Sequence, residues 1–516
     1  MKVFCRFFIY LLLGFYLNSS FLFSQPLISA SELWNKPDAN FFKKKRNELW
    51  HLLPQKSVAI LFSEDPDFFY LTGCRLENST LFIFKELQTF DNTSQNEFLF
   101  IPEPKTTQKM ELEYTQPNEW IEKFSGVKTI LPHSTFLKSD FESKKYDKIL
   151  LNTQYANSPI AEEIKKRCAI EHSFNPILKR FLIRIQDANF DYFTKNIKNE
   201  LIAALSYYPD LRNNELLLLS LQVKTPVEWE GLQKRITQYN TDTYSLSDFM
   251  AHLHQNKDEN ELFLIKRATT ISNICLIDMI KSTSTDKWEH ELACIASFYI
   301  QKYGAKTTYP VQVASGEYST VAYYTQNHKK IRENEWIKMG VCTNYAGWNG
   351  LTVRTVPSNL KFSDLQKKIY QAVYKAHQAA LEQCRPYQNF NAPYEAAMEV
   401  LKNEFFSLGI IKKSEDLRKY VREDVCQYIG ISYPETGLYT TFKPNQVLVV
   451  SVSVSIPQKA DCDTKWWNTG IKISDTIIIS DNGHQNLSES VPKTVQEIEG
   501  WANQKPLLNI KLPSLD

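Results

Sequence analysis

The stretch WIKMGVCTNYAGWNGLTVRTVP, Trp336 to Pro357, decides the fold. It reads as a strand, a tight Asn/Gly-rich turn and a second strand that closes on Arg354-Thr355-Val356-Pro357. Side chains alternate along a strand. Lys338, Gly340 and Cys342 therefore share one face, and Ile337, Met339 and Val341 the other. The outline is that of a hairpin presenting acids to a metal, yet the stretch contains no Asp, Glu or His.

Working outward, the chain has 516 residues, 43% hydrophobic and 23% charged. That is long enough for two or more domains, since one core rarely grows beyond about 250–300 residues. Its 60 basic and 58 acidic residues leave a net charge of +2. This gives no electrostatic footprint for nucleic acid or an anionic membrane. The N-terminus places Lys2 and Arg6 ahead of an apolar run from Phe7 to Leu17, the pattern of a secretory signal over residues 1–24. Export to the periplasm or the outside is expected, the segment being cleaved after Ser24 or kept as a membrane anchor. The remaining cysteines are scattered without a CxxC, which is neither a zinc spacing nor a small disulfide framework.

Residues 38–215 alternate helical stretches with short apolar strands such as SVAILF, Ser57 to Phe62, and suggest an α/β domain. Residues 216–256 read as a helical connecting segment. A long amphipathic helix from Glu259 opens a second domain over 257–485, and 486–516 form a C-terminal tail. In the second domain, strands of alternating polarity suggest an antiparallel sheet with one covered face. Ile337, Met339, Val341, Val450, Val452, Val454, Ile471 and Ile473 supply that face. The opposite face carries Ser451, Ser453 and Ser455, and Lys472, Ser474 and Thr476. Asp475 falls on the wrong side of its strand to join Ser474.

Several phrases resemble the aminopeptidase P (Xaa-Pro aminopeptidase, creatinase-like) family of peptidase M24. They are DPDFFYLTGCRLENSTLFIF (65–84), ELFLIKRATTIS, YPVQVASGEYSTVAYYTQN (309–327), the opening hairpin, and KFSDLQKKIYQAVYKAHQAALEQCRPY (361–387), in the family's order. The resemblance implies an α/β N-terminal creatinase-like domain and an α+β pita-bread C-terminal domain. The latter has a curved, mainly antiparallel sheet covered by helices.

The resemblance also implies chemistry. The family hydrolyses peptides with two divalent metals such as Mn or Zn, held by two Asp, one His and two Glu. Laid on the family's phrases, those five positions fall on Gly340, Leu351, Gln427, Ser451 and Ser474. Its proton-handling and substrate-orienting positions fall on Tyr323, Glu423, Pro434 and Lys472. No metal and no catalytic residue are expected from such a set. Neutral Gly, Leu, Gln and Ser cannot balance a dication pair, and Lys338 and Lys472 would repel it.

Other features have plainer readings. Cys342 reads as an inert buried thiol rather than a nucleophile. The serine row reads as a polar face meeting solvent in a former cleft, and Tyr323, Tyr324, Trp348, Tyr428 and Tyr433 as fillers of that cleft. Three function classes stay open. The first is an exported, inactive pseudo-peptidase that binds a peptide or protein or serves as a partner subunit. The second is an active Xaa-Pro aminopeptidase whose ligands lie elsewhere in the second domain. The third, a metal-independent creatinase-like hydrolase, would need a histidine where Tyr323 stands. Family members are often dimers, so the resemblance also implies a homodimer.

Overall fold

The structure, a computed structural model, describes residues 37–103, 118–152, 155, 159–167, 181, 184–185, 188–207, 215–237, 241–242, 245–421 and 424–508. The expected signal segment 1–24 and Glu423 lie outside the described residues.

The N-terminal layer is a six-stranded sheet of β1 (Ser57–Phe62), β2 (Thr80–Phe90), β3 (Thr93–Ile101), β4 (Ile130–Pro132), β5 (Lys148–Leu151) and β6 (Thr241–Asp242). Its order is β4-β3-β2-β1-β5-β6. The strand β1 is buried along its whole length because it lies inside the sheet, antiparallel to β2 and parallel to β5. Alternation divides its residues between two cores. Val58, Ile60 and Phe62 join Phe82, Phe84, Phe98 and Phe100 in an aromatic cluster on one face. Ala59 and Leu61 join Leu81, Ile83 and Leu99 in the main core on the other.

On that second face lie helices α1 (Ala39–Leu52) and α2 (Pro66–Thr72). The start of α2 is set by Asp65, whose side chain accepts from the Asp67 N–H, with Pro66 in the first turn. The segment 216–256 is more than a connector. Its residues Trp229, Leu232 and Ile236 share a small core with Phe193, Ile197 and Leu201 from before it, and Thr241–Asp242 pairs in parallel with β5 to complete the first sheet.

Helix α3 (Ser245–Gln255) leads into the long α4 (Glu259–Lys281), which opens on a capping box between Asp258 and Glu261. The second sheet has eight strands: β7 (Lys306–Thr307), β8 (Gln312–Ser315), β9 (Trp336–Tyr345), β10 (Trp348–Pro357), β11 (Cys426–Tyr428), β12 (Val447–Ile456), β13 (Thr469–Ser480) and β14 (Gly483–Asn486). Its main order is β11-β12-β13-β10-β9-β7, antiparallel throughout. The opening stretch is the β9-β10 hairpin. Ala346 and Gly347 form its two-residue loop with φ of 50° and 106°, the backbone twist that a tight hairpin needs.

One face of this sheet is covered by α4 and by α6 (Asp364–Gln383), with α5 (Glu289–Lys302) packed beside α4. The approach of α4 is close because Gly350 has no side chain. A Cβ there would sit 2.3 Å from the Thr269 backbone nitrogen. Hydroxyls bridge the contact: Ser272 Oγ donates to Gly350 O at 2.7 Å, and Thr343 Oγ1 to Ala268 O at 2.6 Å.

Arg354 and Asp475 face each other on this covered side, Nη2 to Oδ1 at 2.7 Å and both 0% exposed. The guanidinium also donates to the carbonyls of Val353, Ser474, Ser488, Val491 and Pro492. Asp475 Oδ2 accepts from Lys493 Nζ at 2.8 Å and Asn486 Nδ2 at 2.6 Å. Residues 486–493 are thus bound into the second domain. Burial opposes ionisation of Asp475, but Arg354, His377 and Lys493 outweigh it and hold the carboxyl well below the usual carboxylate range.

Two outcomes follow. Asp475→Asn leaves the Arg354 charge buried without its counterion and should cost about 3–5 kcal/mol, read as a lower melting temperature. Because the folded carboxyl is depressed, its stabilisation is present above the unfolded pKa near ~4 and is lost as pH falls below it. The wild-type melting temperature should accordingly drop more steeply than the variant's on acidification below about pH 4. Gly350→Ala forces α4 away from β10 and should cost about 1–3 kcal/mol, with faster amide hydrogen exchange in Glu259–Lys281 than in the N-terminal sheet.

Candidate functional site

The strand register brings the five candidate positions onto one face of the second sheet. Gly340 pairs with Val353, Val353 with Ser474, and Ser474 with Ser451, a continuous row across β9, β10, β13 and β12. Directly paired residues point to the same side, as do residues two apart on one strand. Leu351 lies two residues before Val353, and Gln427 pairs with Val449, two before Ser451. All five therefore face the side opposite α4 and the Arg354–Asp475 pair. Asp475, one residue beyond the row, points away from it as the alternation predicts.

Side chains fill this face. The hydroxyls of Ser451 and Ser474 lie 2.6 Å apart, each other's hydrogen-bond partner. Leu351, Val353 and Cys342 are buried beside them. A Cβ on Gly340 would already come within 3.3 Å of Val353 Cγ2. Gln427 Oε1 accepts from the Tyr433 hydroxyl at 2.8 Å. Lys472, on the same face, is tied through its backbone: its N–H donates to Thr355 Oγ1 at 2.9 Å, and Thr355 Oγ1 donates to its carbonyl at 3.2 Å.

The expectation of a solvated serine face is corrected in part: Ser451 is only 5% exposed, and Ser474 beside it is fully buried, while Ser453 and Ser455 are half-buried. The Ser455 end of the same face is met by a covering segment that local periodicity did not reveal. The turn Gly316–Thr320 and Val321 lie over β9, β12 and β13. Lys338 Nζ donates to Val321 O at 2.6 Å and Ser455 Oγ to Thr320 O at 2.7 Å. The segment comes so near β13 that a Cβ on Gly470 would lie 2.0 Å from Ser319 O.

A residue absent from the sequence reading holds this cover in place. Glu289, fully buried at the start of α5, accepts from the Ser315 N–H and hydroxyl through Oε1, and from the Tyr324 hydroxyl and the Lys329 N–H through Oε2. Its position just after Trp288, at a helix start, gave no signal beyond an acid in a first turn.

The remaining candidates are dispersed. Tyr323 is 82% exposed, while its neighbour Tyr324 is the one turned inward. Pro434 is exposed. Trp348 does not fill the cleft: it is buried against Phe41 and Phe69 of the N-terminal domain, with Nε1 3.5 Å from Glu261 Oε1. Tyr428 is buried against Phe390 and bonds through its hydroxyl to Gln255 and Leu438. Cys342 is buried, and that burial pushes its thiol up to about 12 despite the nearby Thr308 and Tyr309. A protonated thiol of that kind is a poor nucleophile.

Elsewhere, His254 lies 3.2 Å from Asp67 and 4.0 Å from Glu435, with Lys257 Nζ 2.5 Å from Glu435. That cluster links Asp67 of the first domain to the second, and burial favours the neutral forms of both His254 and Asp67. Among the described residues, no group of three or more His, Cys, Asp or Glu is gathered so as to hold a metal ion.

Comparison with known proteins agrees with this architecture. Residues 264–481 match the metallopeptidase family M24, and residues 54–138 the aminopeptidase P N-terminal domain. The Xaa-Pro aminopeptidase of Escherichia coli K12 is 25% identical over 286 residues, 52% of this chain and 65% of that protein. That of Haemophilus influenzae is 24% identical over 260 residues, 48% of this chain and 60% of that protein. The chain thus spans less than two thirds of these relatives' lengths. In fold, Pseudomonas aeruginosa aminopeptidase PepP superposes with a TM-score of 0.68 at 19% identity, covering 90% of this chain and 98% of that one. E. coli aminopeptidase P with the inhibitor Pro-Leu gives 0.67 at 19%, with the same coverage. With both domain models matched in order and the whole architecture shared, the chain belongs to the aminopeptidase P family.

Proposed function

We propose that this chain is an exported aminopeptidase P-like protein that does not hydrolyse peptides and instead binds a peptide or protein, or serves as a partner subunit. One observation carries the reading. The five positions that the family resemblance assigns to metal ligands share one sheet face, and they hold Gly340, Leu351, Gln427, Ser451 and Ser474. Two hard dications need several carboxylate oxygens, both as ligands and to balance charge. This set offers one amide oxygen and two hydroxyls that are already bonded to each other. It does not fit a dinuclear centre, and Lys338 and Lys472 on the same face add positive charge.

Joint replacement is also the physically economical state. Acids kept without metals would be like charges crowded within a few ångströms, and they could not all ionise. The export part of the proposal rests on the basic-then-apolar N-terminus alone. The binding part rests on fold: a scaffold kept while its chemical face is closed retains surfaces for recognition. A second reading, an active Xaa-Pro aminopeptidase with ligands placed elsewhere, draws support from the names of the relatives, and the experiment separates the two.

The purified full chain, dialysed against manganese and then against metal-free buffer, is assayed for bound metal by mass spectrometry and for release of the N-terminal residue from Xaa-Pro peptides. Substoichiometric metal and no release above the buffer blank are expected. Stoichiometric metal with turnover would overturn the proposal in favour of the active reading.

A further inference from the structure

A cleft of about 370 Å³ opens in the N-terminal domain between α1, the β2–β3 pair and residues 126–129. That is the small end of the range for small-molecule sites, about 300–1,000 Å³. Helix α1 supplies Lys43, Asn47 and Trp50, spaced four and three apart and so on one helix face. Strand β3 supplies Gln95 and Glu97, two apart and on one sheet face. Lys128 joins them from the loop before β4.

The walls of the cleft are fixed from within. Arg46, buried in α1, takes Glu97 with two bonds, Nε to Oε2 at 2.7 Å and Nη2 to Oε1 at 3.2 Å. It also donates to Leu71 O at 2.7 Å and Ser125 O at 2.8 Å, tying helix, strand and loop together. Trp50 is locked where the β2–β3 register shifts between Ile83 and Gln88. There its Nε1 donates to Phe84 O and Lys85 O, both at 3.1 Å, and Asn96 Nδ2 reaches the same two carbonyls at 3.3 Å. With its N–H occupied, the indole has only its ring carbons to offer a ligand.

The charge of the cleft is one-sided. Glu97 is the acid that lines it, and Arg46 neutralises that carboxylate. Lys43 and Lys128 are exposed, and among the described residues neither side chain has an ion-pair or hydrogen-bond partner. The same holds for the side-chain amides of Asn47 and Gln95. Lys85 Nζ, 4.3 Å from the centre of the Trp50 ring, adds positive charge at that wall. Two ammoniums without counterions match the nearly two negative charges of a phosphate monoester at neutral pH. Unengaged amides suit hydroxyl groups, and an indole ring suits the carbon skeleton that carries them.

We propose that this cleft binds a small organic phosphate monoester with a hydroxylated body, its phosphate taken by Lys43 and Lys128 and its body lying against Trp50, Asn47 and Gln95. The site is separate from the row of the second sheet and does not depend on whether that row binds metal.

Glucose 6-phosphate is the probe, titrated calorimetrically into the full chain in phosphate-free buffer at 0.15 M salt. One saturable site is expected, with a dissociation constant on the order of 0.1–1 mM, as befits two solvated ion pairs and few buried contacts. Inorganic phosphate should bind at least about threefold more weakly, and glucose should give no saturable heat. Lys43→Gln and Lys128→Gln should each weaken binding about fivefold. Lys44→Gln, which removes the same charge from the next helix position outside the cleft, should leave it unchanged. These lysines are exposed and Arg46 is left intact, so native circular dichroism is expected of all three variants. Absence of saturable binding, glucose binding as tightly as its phosphate, or equal weakening by Lys44→Gln would overturn the proposal. So would inorganic phosphate binding as tightly as the ester, the mark of an adventitious ion only.

Discussion

The buried pair of Arg354 and Asp475 holds the second sheet together at its weakest seam. Between β10 and β13 the regular ladder has a single registered pair, Val353 with Ser474, whereas β9-β10 and β12-β13 are each registered over ten. What joins the two hairpin-like halves is side-chain chemistry. The Arg354 guanidinium takes the Ser474 carbonyl and the Asp475 carboxylate together. On the other face, Thr476 Oγ1 donates to Leu351 O and accepts from its N–H, and Thr355 Oγ1 does the same for Lys472. A seam closed this way leaves few unsatisfied backbone groups, which buried polar atoms require.

That constraint governs the candidate site as well. The side-chain period of a strand is two, so Asp475 and Ser474 serve opposite faces. The acid nearest the row is committed to Arg354, and withdrawing it would leave a fully buried guanidinium without a counterion. The same face is covered at its Lys338, Ser455 and Gly470 end by the Gly316–Val321 segment, whose approach needs the missing side chain of Gly470 and the carbonyl contacts of Lys338 and Ser455. Stability of the sheet and composition of the row are thus one problem, solved at adjacent residues.

Much of this was legible in sequence because it is local. The hairpin, the two faces of β9, β12 and β13 and the turn of Asp475 away from the row all follow from alternation within one strand. What was not legible involves partners far apart in the chain. The cover over Ser455 and Gly470 comes from a segment more than a hundred residues earlier. Trp348 was placed in the cleft, but its strand carries it to the N-terminal helix face at Phe41 and Phe69. Thr241–Asp242 is too short and polar to read as a strand, and becomes one because β5 offers an open edge.

On the proposed reading, the closed row also resists return to metal chemistry one residue at a time. A carboxylate placed at Ser474 would replace the hydroxyl that Ser451 needs and put a charge where no water reaches. With only one acid present, no dication would be held tightly enough to offset that desolvation. An acid at Gly340 meets Val353 before it meets a metal. Each single step is therefore a loss, and the gain appears only when several ligands and a withdrawn cover coincide. A face in that state is maintained by packing alone, which is why its polar atoms bond to one another and to the covering segment.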